Sequence, residues 1–290
     1  MTQKIKKSLC AALACLFFIS PLSACASIQN PPIDGALPPQ TDAPTQPEQP
    51  ETDGDAGENE PPQMQQPPQQ QPPQQQPQKK WARYIRVTGR GVNIRAQANT
   101  TSAVVGQAEQ GTTYAVTGQA GGFYKTVYKH QTVYISAAYV YEFSLEKSQN
   151  EQVEQVIEQG YSLIGVPYVY GAVRLHDGYG NKLSSFNKNK FDCSSLTQFM
   201  FYYGAGVLLG TTTRTQVKQG SFVQKSELSR GDCIYYTNET RFHLSGTERI
   251  GHVAVYLGDG FILHTASDFA RIEKMSSTRW SYYIEARRFL

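Results

Sequence analysis

Cys193 stands in the run Phe191-Asp192-Cys193-Ser194-Ser195-Leu196. Asp192 is a good helix N-cap residue. Leu196, Phe199, Met200 and Tyr203 follow at i, i+3, i+4 and i+7, one apolar face of a helix. Gly204 is placed to end that helix. The spacing puts Cys193 in the first helical turn, where the partial positive charge of the helix end favours thiolate over thiol. Thiolate is the nucleophilic form, and a helix N-terminus or a neighbouring imidazolium lowers a cysteine pKa from its free value of about 8.5. A buried, inert cysteine is the competing reading. It fits less well, because the apolar face begins only at Leu196.

An activated thiol needs a base. Gly251 to Leu257 reads as a strand, Gly258-Asp259-Gly260 as a turn, and Phe261 to Thr265 as a second strand. His252 lies seven residues before Asp259 and His264 five after it, so the two are cross-strand or diagonal neighbours in such a hairpin. One His could face the thiol while the other orients it, the part a carboxylate or amide plays in other triads. Taken singly, each is more readily a core or surface residue.

Several elements must position these groups. Ser148 with Glu151 makes a candidate capping box, and Val153, Val156, Ile157 and Leu163-Ile164 recur at helical spacing. That helix should end near Gly165-Val166-Pro167, before a turn and a long polar loop at 173–190. Upstream, from Trp81, short β-branched and aromatic runs alternate with turn residues: Tyr84 to Val87, Val92 to Arg95, Tyr114 to Val116, Phe123 to Tyr128 and Thr132 to Ile135. That rhythm predicts a small all-β barrel over 81–143. Its Tyr and Arg side chains fit a ligand groove or the barrel core equally well.

The N-terminus is a targeting device. Lys4, Lys6 and Lys7 precede an apolar run from Leu9 to about Phe18, the layout of a secretory signal over 1–24 and short for a membrane-spanning helix. Residues 30–78 are rich in Pro, Gln, Glu and Asp and hold almost no large apolar side chain. Such a stretch cannot bury enough surface to offset its ordering entropy, so 25–80 is expected to be a disordered tether. In extended polyproline form the roughly 49 residues of 30–78 would span at most about 150 Å.

The net charge of +3 hides three segments. Residues 1–24 carry three bases and no acid, 26–78 carry eight acids and no base, and 79–290 carry 24 bases against 16 acids. A basic folded part favours an anionic polymer, and a secretory signal makes nucleic acid a poor candidate. Five cysteines, three of them near the N-terminus, are not a disulfide framework. The absence of a CxxC pair speaks against structural zinc. No feature asks for a metal or an organic cofactor.

Three resemblances organise these observations. Leu22-Ser23-Ala24-Cys25 resembles the lipobox of bacterial lipoproteins, which implies lipidation at Cys25 and a membrane partner through that anchor. The pattern "GVNIRAQANTTSAVVGQAEQGTTYAV", with "FYKTVY" and "VYISAAYV", resembles the bacterial SH3-like domain. "GVPYVYG", "FDCSSL", "TTTRTQVKQG", "RGDCIYY", "GHVAVYLGDG" and "FILHTAS" occur in order across 148–290 and together resemble the NlpC family of cell-wall cysteine peptidases. That resemblance implies a papain-like α+β domain and hydrolysis of peptidoglycan stem peptides, usually between γ-D-glutamate and the diamino acid. It implies Cys193 as nucleophile, His252 as general base and acid, and His264 as the orienting residue. Tyr168 matches the family's substrate-binding Tyr near the catalytic Cys, Asp192 and Ser194 match the flanking positions that help recognise the free amine of the stem peptide, and Arg214 lies in a motif position where it could meet a substrate carboxylate. A monomer is expected, extracytoplasmic and lipid-anchored.

The chain also departs from the pattern. Ala172 and Ser195 replace usual glycines, and the stretches 173–190 and 237–249 are long. These changes leave the Cys and both His in place but put the shape of the cleft, and so the bond cut, in question. Cys233 falls at an apolar strand position and reads as core. His130, His176 and His243 have no motif support, although His243 could approach the cleft from its inserted stretch. An amidase of the same chemistry and a non-catalytic wall-binding lipoprotein are the competing readings.

Overall fold

The computed structural model describes residues 78–290; the expected signal segment, Cys25 and the tether to residue 77 lie outside the described residues. The barrel segment forms β1 (Trp81–Val87), β2 (Val92–Arg95), β3 (Val104–Ala108), β4 (Thr113–Ala115), β5 (Gly118–Ala120), β6 (Phe123–Tyr128), β7 (Gln131–Ser136) and β8 (Val140–Glu146). The second segment opens with α1 (Glu151–Tyr161), α2 (Cys193–Ala205) and α3 (Thr213–Gln216). It continues through β9 (Ser221–Val223), β10 (Cys233–Tyr236), β11 (His252–Gly258), β12 (Phe261–Ala266), β13 (Phe269–Lys274), α4 (Ser277–Ser281) and β14 (Tyr283–Arg288). The architecture is a papain-like α+β domain preceded by an SH3-like barrel.

The two halves share a sheet. Five strands run in the order β3-β2-β7-β6-β5, and nine in the order β8-β1-β4-β13-β12-β11-β10-β14-β9. The junction is β4 against β13, where Thr113 pairs with Ile272. A buried polar cluster reinforces it. Arg230 reaches Glu154 at 2.6 Å and the hydroxyls of Tyr84 and Tyr161 at 3.0 Å each, and those two hydroxyls also bond to one another. Tyr84 comes from the barrel and the other three from the α+β half, so the cluster ties one half to the other. Gly165 seals the same seam: its φ is +84° and an added Cβ would stand 2.0 Å from the Tyr128 ring. Only glycine fits both the left-handed backbone and that close approach.

Helix α1 lies on α2 at two glycine contacts. A Cβ on Gly204 would fall 2.4 Å from Val156 Cα, and one on Gly160 would fall 2.7 Å from Met200 and Leu263. Gly204 therefore serves packing and does not end α2. Gly206, at φ +68°, is the C-cap. The start of α1 also differs from the expected capping box: Asn150 is the N-cap and accepts from Gln152 N, while Ser148 N donates to Glu154. The helix stops at Tyr161, and residues 162–165 form turns.

Strands β2 and β6 match the predicted runs, and β1, β4 and β7 overlap theirs. Strands β3, β5 and β8 were not expected. The first two carry Gly106 and Gly118, which weaken a strand signal. The third lies at the sheet edge with little buried alternation.

Candidate active site

Asp192 caps α2 with both bonds of a capping box. Its Oδ1 accepts from Ser195 N at 2.8 Å, and Ser195 Oγ accepts from Asp192 N at 2.9 Å. Cys193 follows as the first helical residue. Helix α2 packs on β11, and the backbone N–H of Val253, next to His252, is one of the groups that lower the Cys193 thiol pKa. The first turn of α2, with Cys193, thus lies near the start of the strand that carries His252.

Strand β11 pairs with β12, with Val255 opposite Leu263 and Tyr256 opposite Ile262. Continued outward, that register sets His264 against Ala254, two residues from His252 and on the same face, so the two His are diagonal neighbours. His252 Nε2 lies 2.9 Å from His264 Nδ1. The Nε2 of His252 is engaged in this way, which leaves Nδ1 as the nitrogen able to serve the thiol. On its far side His264 Nε2 lies 3.2 Å from Glu273 Oε1, off the line of a good hydrogen bond. Arg279 holds the same Glu273 oxygen at 2.8 Å.

The electrostatics run against the expectation of a low thiol pKa. Burial, and then the neighbouring Asp192 carboxylate, push the Cys193 thiol up to about 12. The N–H groups of Val253 and Ser194 and the Arg174 charge pull the other way and do not win. The reason is one of scale. A helix terminus contributes about 0.3–1 kcal/mol, whereas full burial moves a pKa by up to about 3–5 units. Burial, then His264 and Arg279, hold His252 well below the ordinary imidazole range. Both shifts favour the neutral thiol and the neutral imidazole in the unliganded site.

A cleft of about 540 Å³ opens beside His252, lined also by Tyr168, Tyr236, Arg279, Asn238 and Glu239. Tyr168 borders both the cleft and the thiol. Burial, with the Cys193 and Asp192 charges, pushes its hydroxyl to about 12, so it remains a donor at neutral pH. Asn238 and Glu239 bring the long 237–249 stretch to the cleft wall.

The other expected contacts fall elsewhere. Asp192 is buried, and its Oδ2 is 2.8 Å from Arg174 Nη2, which also donates to Ser194 Oγ at 3.0 Å. The carboxylate is thus charge-balanced within the protein, and a substrate ammonium would have to compete with Arg174. Ser194 Oγ in turn donates to Asp192 Oδ1 at 3.0 Å. Arg214 meets Glu248 at 3.2 Å and does not line the cleft. His243 is exposed outside the cleft, and Cys233 is fully buried in β10. Sequence reasoning missed Arg174, Glu273 and Arg279. Arg174 has no signal, because it reaches Asp192 from the irregular 173–190 loop. Glu273 carried a faint one, because it shares a strand face two residues from Arg271, the register partner of His264.

Comparison with known proteins agrees with this geometry. The NlpC/P60 family matches residues 165–288, and the bacterial SH3 domain matches residues 90–141. Peptidoglycan DL-endopeptidase CwlO of Bacillus licheniformis is 33% identical over 142 residues, 47% of this chain and 28% of that protein. Peptidoglycan endopeptidase RipA of Mycolicibacterium smegmatis is 34% identical over 131 residues, 45% of this chain and 24% of that protein. Gamma-D-glutamyl-L-lysine dipeptidyl-peptidase of Bacillus cereus is 28% identical over 151 residues, 50% of this chain and 40% of that protein. The chain thus spans less than half the length of each of these relatives. Residues 165–288 of this chain are an NlpC/P60 domain, and residues 90–141 are a bacterial SH3 domain.

Proposed function

We propose that the chain is a peptidoglycan hydrolase, a cysteine endopeptidase that cuts the stem peptide, at the bond between γ-D-glutamate and the diamino acid. The observation that carries this reading is the 2.9 Å pairing of His252 with His264 on the strands β11 and β12, against which α2, opened by Cys193, packs. Cys193 Sγ attacks the scissile carbonyl as its proton passes to His252 Nδ1. The positive end of α2 faces the developing oxyanion, and His252 then returns the proton to the departing amine. Water, deprotonated by the same imidazole, releases the acyl group and restores the thiol. Tyr168 is the substrate contact that the cleft favours. Asp192 and Ser194 act through the shape of the helix end, and Arg214 acts only through the 237–249 stretch. The relatives named for γ-glutamyl and peptidoglycan bonds support the substrate class.

The chain is further proposed to be secreted, acylated at Cys25 and held as a monomer at an extracytoplasmic membrane face by its lipid. A single acyl chain binds membranes only marginally, so this anchor would carry more than one. Two measurements test the reading together. A thiol alkylator should abolish loss of turbidity from purified sacculi while a chelator leaves it unchanged, and the reverse pattern would refute the mechanism. Cells fed a fatty-acid probe should label the wild type and not Cys25→Ala; equal labelling would remove the anchor.

A further inference from the structure

Behind the two His stands a half-buried carboxylate with its own clamp. Glu273 lies on β13, paired with β12, and its Oε1 lies 3.2 Å from His264 Nε2 and 2.8 Å from Arg279. The groups facing His264 are His252, Glu273, Arg271 and Arg279, of which only Glu273 brings a negative charge to the ring, on its Nε2 side. Those facing His252 are His264, Arg279 and the Tyr236 ring, with Cys193 on the α2 side in the reading above. Without that carboxylate, the Arg271 and Arg279 charges would favour a bare Nε2 and leave the ring proton of His264 on Nδ1.

We propose that Glu273 is a positioning residue that fixes the His264 tautomer: its carboxylate, 3.2 Å from Nε2, holds the ring proton of His264 on that nitrogen, so that His264 offers a bare Nδ1 to the Nε2–H of His252. His252 is then left with an unprotonated Nδ1 directed to Cys193. Were His264 to hold its proton on Nδ1, His252 would have to accept at Nε2 and carry its own proton on Nδ1. In that tautomer it could not receive the proton of the thiol. A wrong tautomer with intact geometry is costly in other triads. Arg279 keeps the carboxylate ionised and aimed, and the neighbouring cations and His264 hold Glu273 down at about 2 despite its burial. The inference rests on the Cys193–His252 reading above, and its test separates the two.

The full chain, labelled with ¹⁵N-histidine, reports the His264 tautomer directly by NMR. The same samples give the rate of iodoacetamide alkylation at Cys193 against pH, followed by peptide mapping because other cysteines are present. The expected result is an Nε2–H tautomer for His264 in the wild type, retained in Glu273→Gln, which keeps an acceptor, and lost in Glu273→Met. Alkylation at pH 7 should fall roughly a hundredfold in Glu273→Met, the low end of what a positioned base contributes, and its acid limb should move to lower pH. Glu273→Gln should lie between. A wild-type His264 protonated at Nδ1, or a Glu273→Met profile that overlays the wild type, overturns the proposal. A wild-type Cys193 whose alkylation is unchanged by His252→Ala would instead overturn the Cys–His reading itself.

Discussion

His252 Nε2 and His264 Nδ1 stand 2.9 Å apart across two neighbouring strands, so one ring must donate to the other. In the proposed mechanism that contact makes His264 part of the proton path, which gives a graded expectation. His264→Asn, which keeps a polar partner, should retain more muropeptide turnover than His264→Ala. The latter should lose on the order of 10²-fold or more in kcat/KM, with KM nearly unchanged. Steady-state kinetics on a defined muropeptide check this, and a loss carried by KM would show that His264 binds substrate.

Acid should destabilise the fold through the same residues. Burial holds His252, His264 and His176 below the ordinary imidazole range. For groups whose folded pKa is depressed, the stabilisation is fully present above the unfolded value of about 6.5 and is lost as pH falls toward the folded one. The melting temperature should therefore drop below about pH 6.5. His264→Asn should flatten that slope, and a slope identical to the wild type would mean that His264 does not contribute.

The pair of Arg174 and Asp192 is mostly buried, at 18% and 6% side-chain exposure. Removing one member of such a pair strands the other charge, at a cost of about 3 kcal/mol or more. Arg174→Met should thus lower stability in denaturant titrations. It should also slow Cys193 alkylation at neutral pH, because the uncompensated Asp192 raises the thiol pKa further. Faster alkylation would mean that Arg174 does not act on the thiol.

The seam between the barrel and the α+β half depends on Gly165. Gly165→Ala forces a β-carbon to within 2.0 Å of the Tyr128 ring at a φ of +84°. The backbone alone costs about 1–3 kcal/mol, and the clash adds to it. Thermal unfolding should show a clear loss of stability; a wild-type melting curve would mean that the seam can open without consequence.

The parts of this site that were legible in the sequence are those set by local chemistry. Asp192 as a cap, Cys193 in the first turn and the hairpin bringing His252 to His264 all follow from spacing, because a helix end and a short turn fix their geometry within a few residues. What depends on distant packing was not legible. The thiol pKa turns on burial, which no local pattern reports, and it runs opposite to the helix-end argument. Arg174 reaches Asp192 from an irregular loop, and Gly204 looked like a helix stop until Val156 was seen against it. Strand β8 was missed because an exposed edge needs no alternation, yet it completes the sheet that carries the barrel into the peptidase half.

The central claim is that Cys193 cuts the stem peptide, and mass spectrometry of defined disaccharide-peptides incubated with the full chain and with Cys193→Ala tests it most directly. The wild type should release fragments split after γ-D-glutamate, and Cys193→Ala should leave the substrate intact. Intact stem peptide freed from the sugar would point to an amidase. The same fragments from Cys193→Ala, or none from the wild type, would contradict the account.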